Sequence, residues 1–385
     1  MKTAETGLKA KKPVTVVQMV PELESGGVEE ETLEVSRFLA EGGHCSMVIS
    51  GGGRLVSRLR MEGGAHISWP VGRKNPLTLR YLPRLRNLLL NRQADILHIR
   101  SRVPAWLGYL TWKTIPRCRR PGLVTSFHGF YSVNRFSAIM AKGEKVIAVS
   151  RAVEDHIVRH YGTTRSRIVM IYGGYDEKIF NPALVSGNRI GKLRTRWDLS
   201  GNDDPVIMLP GRVTRLKGHD IFFKALKGID TLAWTAICVG DPGGGSGYVS
   251  ELEKLAADLG IENRVRFCGL CEDMPAAYAL SDIVVSATSF KAESFGKTAV
   301  EAQAMGKPVI ASAHGGSLET VRDGVTGWLT EPEDADGMAE ALREAILNEK
   351  LRKQRGENGR KWVRMNFTAA RMCTETLKLY ENMVS

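Results

Sequence analysis

Short apolar runs recur along this chain, each followed by a turn and then a helical stretch, and that rhythm leaves few folds open. Val14–Val20, Cys45–Ser50, His66–Trp69, Ala94–Ile99, Leu123–Phe127, Lys145–Ser150 and Ile168–Ile171 read as buried strands. Runs without polar alternation suit parallel strands covered on both faces, with helices in the crossovers. Over residues 183–204 the pattern lapses into a polar stretch with a helix expected near Lys192–Trp197. It then restarts with Val206–Leu209, Trp234–Val239, Arg264–Cys268, Asp282–Ser286, Val309–Ser312 and Trp328–Thr330, with helices at Val249–Leu259, Met274–Leu280 and Ala335–Leu347 between them. A chain of 385 residues exceeds the size of one ordinary core. The expectation is therefore α/β, as two doubly wound Rossmann-like domains: one over 13–182, a linker over 183–204, and a second over 205–367. A final helix is expected over 369–383.

Open parallel sheets bind ligands at the carboxyl ends of their strands, so the residues leaving those ends carry the functional reading. After the first strand comes Gly26-Gly27 and a helix from Val28 to about Ala40; this is either a ligand-facing amide turn or a simple tight turn. It is not a GxGxxG sequence, so a nicotinamide dinucleotide site is not supported. His98 and His128 stand at strand ends, His128 beside Gly129. In the second half, Gly211-Arg212-Val213-Thr214-Arg215-Leu216-Lys217-Gly218 follows a strand and brings Arg212 and Lys217 to its carboxyl end, with Arg215 as a second cation or a solvated one. Fixed cations there suit an anionic ligand, and they stabilise any negative charge that develops in a reaction at that edge.

The richest stretch is Ser289–Ile310, SFKAESFGKTAVEAQAMGKPVI. It reads as a loop holding Glu293, a turn through Ser294, Phe295 and Gly296, and a helix carrying Glu301 that Gly306 and Pro308 end. Free amides at a helix start favour phosphate. Two carboxylates bracketing the same spot suit neutral hydroxyls instead, so the implied ligand is part phosphate and part polyol.

Together, Glu-x7-Glu and Gly-Arg-x4-Lys-Gly in this order resemble retaining GT-B glycosyltransferases of the family-four (group 1) type, over about residues 13–383. The resemblance implies two Rossmann-like domains facing across a cleft, with the last helix crossing back to the first. It implies a nucleotide-diphosphate sugar as donor substrate, no cofactor and no metal. Arg212 and Lys217 would hold the diphosphate with the amides of Ser294, Phe295 and Gly296. Glu293 would take the donor sugar's hydroxyls, Glu301 the ribose hydroxyls, and His128 the sugar near the reaction centre. Gly26, Gly27 and Gly211 would line the donor cleft, and Gly269 with the loop from Leu270 to Met274 the base, which is uracil, guanine or adenine. Lys297 stands where an apolar residue is usual, either a further cation or a solvated one. His314-Gly315-Gly316 with Glu319 resembles a packing turn near the sugar. In Gly173-Gly174-Tyr175-Asp176, Gly173 replaces the usual Asn.

The phrases ESGGVEEETLEV, SRVPAW and HGFYSVNRFSAIM resemble bacterial enzymes that build lipopolysaccharide core or related surface glycans, implying a glycan or glycolipid acceptor. The net charge of +12 fits an anionic partner. From Arg80 to Arg120 there are ten Arg or Lys residues and one acid, interleaved with Trp106, Tyr109, Trp112 and leucines. That mixture suits loose contact with an anionic membrane surface, or a solvated helix face over ordinary core. No nucleic-acid module accompanies it, so no nucleic-acid partner is expected. The lead-in MKTAETGLKAKK lacks the apolar core of a signal peptide, and the scattered cysteines, including Cys268-Gly-Leu-Cys271, suit a reducing cytoplasm. Two other readings fit less of the pattern: a GT-B enzyme with soluble substrates (a disaccharide-forming transferase or a nucleotide-sugar epimerase), and a non-catalytic basic surface-binding protein.

Overall fold

In the computed structural model the apolar runs pair as two separate parallel sheets. The structure describes residues 12–24, 26–201, 203–242 and 246–384; most of the N-terminal lead-in lies outside them. The first sheet holds β1 (Thr15–Met19), β2 (Cys45–Ser50), β3 (Ala65–Ser68), β4 (Ile96–Ile99), β5 (Gly122–Phe127), β6 (Lys145–Ala148) and β7 (Ile168–Met170), in the order β3-β2-β1-β4-β5-β6-β7. The second holds β8 (Val206–Pro210), β9 (Thr235–Val239), β10 (Val265–Gly269), β11 (Ile283–Ser286), β12 (Val309–Ser312) and β13 (Gly327–Thr330), in the order β10-β9-β8-β11-β12-β13. Central strands such as β4, β8 and β11 are buried at every residue, which is why their sequences show no alternation.

Helices supply the outer layers. The first domain has α1 (Gly27–Glu41), α2 (Val56–Met61), α3 (Leu82–Asn91), α4 (Arg102–Thr114) and α5 (Arg151–Tyr161), and the linker carries α6 (Gly187–Arg196). The second has α7 (His219–Lys227), α8 (Ser246–Asp258), α9 (Met274–Leu280), α10 (Lys297–Ala304), α11 (Ser317–Thr320), α12 (Ala335–Leu347) and α13 (Glu349–Asn366), and α14 (Ala369–Val384) ends the chain. The linker helix is longer than its sequence suggested, because Ser186 caps it by accepting from Arg189 N.

Strand order reverses between β1 and β4 in the first sheet and between β8 and β11 in the second. Each reversal opens a crevice at the carboxyl ends of those strands. The loops at the second crevice are Gly211–Lys217, after β8, and Ala287–Glu293, after β11. They are laced together: Ser289 N donates to the Leu216 carbonyl and Ser289 Oγ to the Arg215 carbonyl.

The chain crosses between domains twice, and the two crossings pair with each other. Tyr175 N donates to the Phe367 carbonyl, and Ala369 N returns a bond to the Tyr175 carbonyl. After this crossing α14 lies on the first domain. Met372, Cys373, Leu379 and Tyr380 join Val16, Val35, Ile96 and Val124 in one buried cluster. There Tyr380 Oη lies 2.6 Å from His98 Nδ1, whose Nε2 lies 2.6 Å from Ser126 Oγ. His98 is a core residue locking the last helix in place, not a cleft residue. Beside the crossing, Phe295 and Phe367 meet edge to face at 5.6 Å, with Tyr172 against both.

Candidate functional site

The second crevice gathers the predicted donor residues. Gly211, at φ 133°, lets the chain leave β8 under Gly240, and Gly218, at φ 66°, starts α7 with its Cα against the Ala287 carbonyl. Between them Lys217 is turned inward, its Nζ 2.8 Å from Glu293 Oε2. Glu293 also accepts from Thr288 Oγ1 at 3.0 Å and from Ser294 N at 3.2 Å. Burial pulls its carboxyl upward, but Lys217 and these hydrogen bonds outweigh that and hold it below the usual carboxylate range. The phosphate and hydroxyl residues are thus partners of each other here, and the Ser294 amide expected for phosphate is engaged by Glu293.

Gly296, at φ 93°, makes the left-handed step that opens α10. About one and a half turns later Glu301 accepts from Tyr278 Oη at 3.1 Å. Burial pushes the Glu301 carboxyl up to about 7, against the pull of Lys297 and Tyr278. The base segment behaves differently from its side-chain outline. Gly269 takes φ 65° at the end of β10 and its carbonyl accepts from Gly240 N, but Asp273 caps α9 through Ala276 N and pairs with Arg189 of the linker. Asp273 is therefore structural. Arg215 pairs with Glu251 at the surface and lies over the Tyr248 ring. Arg212 remains exposed at the cleft.

From the first domain, α1 and the ends of β4 and β5 face this crevice. Glu31 of α1 lies 3.3 Å from His128 Nδ1 and 3.7 Å from Arg100. Burial opposes its ionisation, but His128, Lys297 and Arg100 hold it down at about 2. Glu31 thus orients the His128 ring and leaves its buried Nε2 without a protein partner among the described residues. Glu29, in the first turn after Gly26-Gly27, is raised by burial and feels the charges of both His128 and Arg212.

Several contacts differ from expectation. Lys297 is not a solvated cation: it crosses to α1, with Nζ 3.7 Å from Glu34. Glu319, expected in a packing turn, accepts from Tyr172 Oη at 2.7 Å and from Arg151 N at 2.9 Å, joining α11 to the first domain. Gly173 is glycine because a side chain there would strike the Phe295 ring and Glu31. The basic region from Arg80 to Arg120 divides: Arg100 is buried and bonded to Gln18, Arg102 lies over Tyr131, and Arg120 lies over Trp112. Arg84, Arg92, Lys113, Arg117 and Arg119 remain exposed, as do Trp106 and Leu110.

Two family descriptions fit the two halves: Glycosyltransferase Family 4 over residues 25–178, and glycosyl transferases group 1 over residues 194–362. A crystal structure of a glycosyltransferase from Rickettsia africae ESF-5 is 33% identical, covers 97% of this chain and 100% of its own, and superposes with a TM-score of 0.89. The chain belongs to the group 1 glycosyltransferases.

Within this glycosyltransferase family, D-inositol 3-phosphate glycosyltransferase 1 of Catenulispora acidiphila is 36% identical over 66% of this chain. That match spans 64% of the relative's length. Anabaena Alr3699/HepE, solved with UDP-glucose, shares the fold at 24% identity, with a TM-score of 0.80 over 95% of this chain and 99% of its own. The glycosyltransferase motifs pointed to Lys217, Glu293 and Glu301. They did not point to Glu29, Glu31, Glu34 or Thr288; the run of acids EEETLE after the glycine turn was the available signal.

Proposed function

We propose that this protein transfers a glycosyl group from a nucleotide-diphosphate sugar to a hydroxyl of a glycan or glycolipid, with retention at the anomeric carbon. The observation that carries the reading is the Lys217–Glu293 pair beside the Gly296 turn, with Glu301 on the same helix. A diphosphate placed at this turn meets Lys217, Arg212 and the first amides of α10. The ribose hydroxyls donate to ionised Glu301. The sugar lies toward Glu293 and the Nε2 of His128, unpartnered among the described residues.

In the reaction the bond from the anomeric carbon to the leaving phosphate oxygen breaks. The acceptor oxygen bonds to the same face, and its proton passes to that phosphate. Lys217 and Arg212 stabilise the charge that builds on the diphosphate, a role worth on the order of 10²–10³ in rate for one donor. Because these two cations supply that charge, activity is expected to persist in EDTA. The UDP-glucose bound to the Anabaena neighbour supports a nucleotide sugar as donor.

The acceptor has two readings. The N-terminal phrases, together with the exposed cations of α3, α4 and the turn after α4, favour a lipid-linked surface glycan reached at the inner face of the cytoplasmic membrane. Among the described residues no helix is long and apolar enough to cross a membrane, so such contact would be peripheral. The name of the Catenulispora relative favours a phosphorylated polyol instead. Incubation with a nucleotide sugar and either acceptor class, followed by NMR of the product's anomeric configuration, tests the reading. Retained configuration supports it; inverted configuration, or hydrolysis alone with every acceptor, refutes it. Co-sedimentation with anionic vesicles, lost on replacing Arg117 and Arg119 by Glu, decides the membrane contact.

A further inference from the structure

One partly buried cation has no part in the steps above. Lys297 is the first residue of α10, next to the turn assigned to the donor diphosphate. Its side chain leaves its own domain and lies across the first turn of α1, where any side chain on Gly27 would meet its methylenes. Its Nζ stands 3.7 Å from Glu34 Oε1, with 20% of the lysine side chain and 5% of the glutamate side chain exposed. The second Glu34 oxygen is buried without a hydrogen-bond partner among the described residues. The charges Glu34 feels most are Lys297, which favours its ionisation, and Glu31, Glu30 and Asp176, which oppose it. Asp176 is already taken by Arg37, and Glu31 by Arg100 and His128.

Burial raises the Glu34 carboxyl to about 7 against the pull of Lys297, so above that pH its charge is held by the cation beside it. Here that cation comes from the opposite domain and from the residue that begins the donor-binding helix. Withdrawing α10 from α1 gives up this pairing, so above that pH the pair favours one register of the two surfaces. Close packing beside it fixes the same register, since Gly173 admits the Phe295 ring against Glu31. We propose that Lys297 is a positioning residue, pairing with Glu34 to fix the donor-holding turn against α1 so that diphosphate and His128 face one reacting centre. The proposal rests on the glycosyltransferase reading for its kinetic consequence, but not for its structural one.

The test uses the full chain at about pH 8.5, where Glu34 is ionised, with Lys297→Met, Lys297→Arg, Glu34→Gln and the Met/Gln double variant. The readouts are nucleoside-diphosphate affinity, kcat, donor KM and, without ligand, the radius of gyration by small-angle scattering. Lys297→Met is expected to lower kcat about tenfold, a typical coupling for contacting residues, while nucleoside-diphosphate affinity stays within about threefold. Glu34→Gln acts in the same direction, the double variant is no worse than Lys297→Met, and Lys297→Arg recovers most of the loss. Lys297→Met also expands the ligand-free protein, and Lys297→Arg does not. Multiplying losses in the double variant overturn the proposal. So does a loss of nucleoside-diphosphate affinity in Lys297→Met with Glu34→Gln silent, which would make Lys297 a direct donor contact. Should the native protein transfer no sugar, the glycosyltransferase reading fails alone, and unchanged scattering in Lys297→Met then refutes the pairing separately.

Discussion

Lys217 Nζ and Glu293 Oε2 stand 2.8 Å apart and close the crevice between the loops that follow β8 and β11. Each is mostly buried, with side-chain exposures of 24% and 12%. Removing one leaves the other charge enclosed. Lys217→Ala is expected to cost about 2 kcal/mol of stability, the penalty of an unpaired buried group, and to lower kcat/KM by at least about 100-fold. Glu293→Gln keeps the shape and should lose activity with a smaller change in melting temperature. Thermal melts beside steady-state kinetics check both.

Glu301 gives the donor step a pH dependence. Its carboxyl is raised from 4.5 to about 7 by burial, so it is neutral below that pH and ionised above it. Ribose hydroxyls donate to the ionised form. Nucleotide-sugar affinity is therefore full above about pH 8 and falls up to tenfold per unit below about pH 6, a trend that Glu301→Gln should flatten. For folding the sign is the reverse. The neutral form is favoured in the native state, so the Glu301 contribution to stability is lost as pH rises from 4.5 through 7, and Glu34, also raised to about 7, adds to the same trend. Titration calorimetry with a nucleotide sugar across this range tests the first statement, and denaturant melts the second.

Two strand-end histidines are expected to separate by phenotype. His98 is enclosed between Ser126 and Tyr380, so Tyr380→Phe should cost about 1–3 kcal/mol by leaving a ring nitrogen unpaired, with kcat nearly unchanged. His128→Ala leaves Glu31 its Arg100 partner. It should lower kcat at least about 100-fold while melting within a few degrees of the native protein.

Backbone room is a third constraint. Gly218 adopts φ 66° with its Cα facing the Ala287 carbonyl. Alanine there is strained by its dihedral and by that oxygen together, and is expected to cost more than about 2 kcal/mol and to displace Lys217. Gly173 has an ordinary dihedral, and its limit is the Phe295 ring. Gly173→Asn should therefore fold but spread the domains, lowering kcat with nucleoside-diphosphate affinity retained. Scattering and binding measured on the two variants separate these outcomes.

The parts of this fold that were legible in the sequence are those set by local rules. Fully buried parallel strands appear as unbroken apolar runs, and the Gly296 turn with Glu301 about one and a half helical turns later follows from spacing alone. Helix α13 gave no such signal. Its sequence EKLRKQRGENGRKWVRMN has few apolar residues and two glycines, which disfavour a helix. In the structure Gly356 lies on the Gly306 carbonyl and Gly359 on Gln303, so the glycines mark close packing against the end of α10. The remaining gaps are long-range. Lys217 with Glu293, Glu319 with Arg151 and Lys297 with Glu34 pair across loops or domains, and no periodicity relates their positions. Arg100 read as part of a surface patch because burial under Gln18 and Glu31 leaves no trace in its neighbours' sequence.

The central claim is that the second-domain crevice is a nucleotide-diphosphate site, and the measurement closest to it is a ligand titration. UDP, GDP and ADP, with their glucose conjugates, are added to the native protein and to Arg212→Ala and Lys217→Ala, and the melting temperature is followed. The account predicts that one base raises the melting temperature, since a ligand binding only the folded state stabilises it, and that both variants lose most of the shift. No shift with any nucleotide at about a thousand times a micromolar Kd, where about 4 kcal/mol of stabilisation is due, would contradict it.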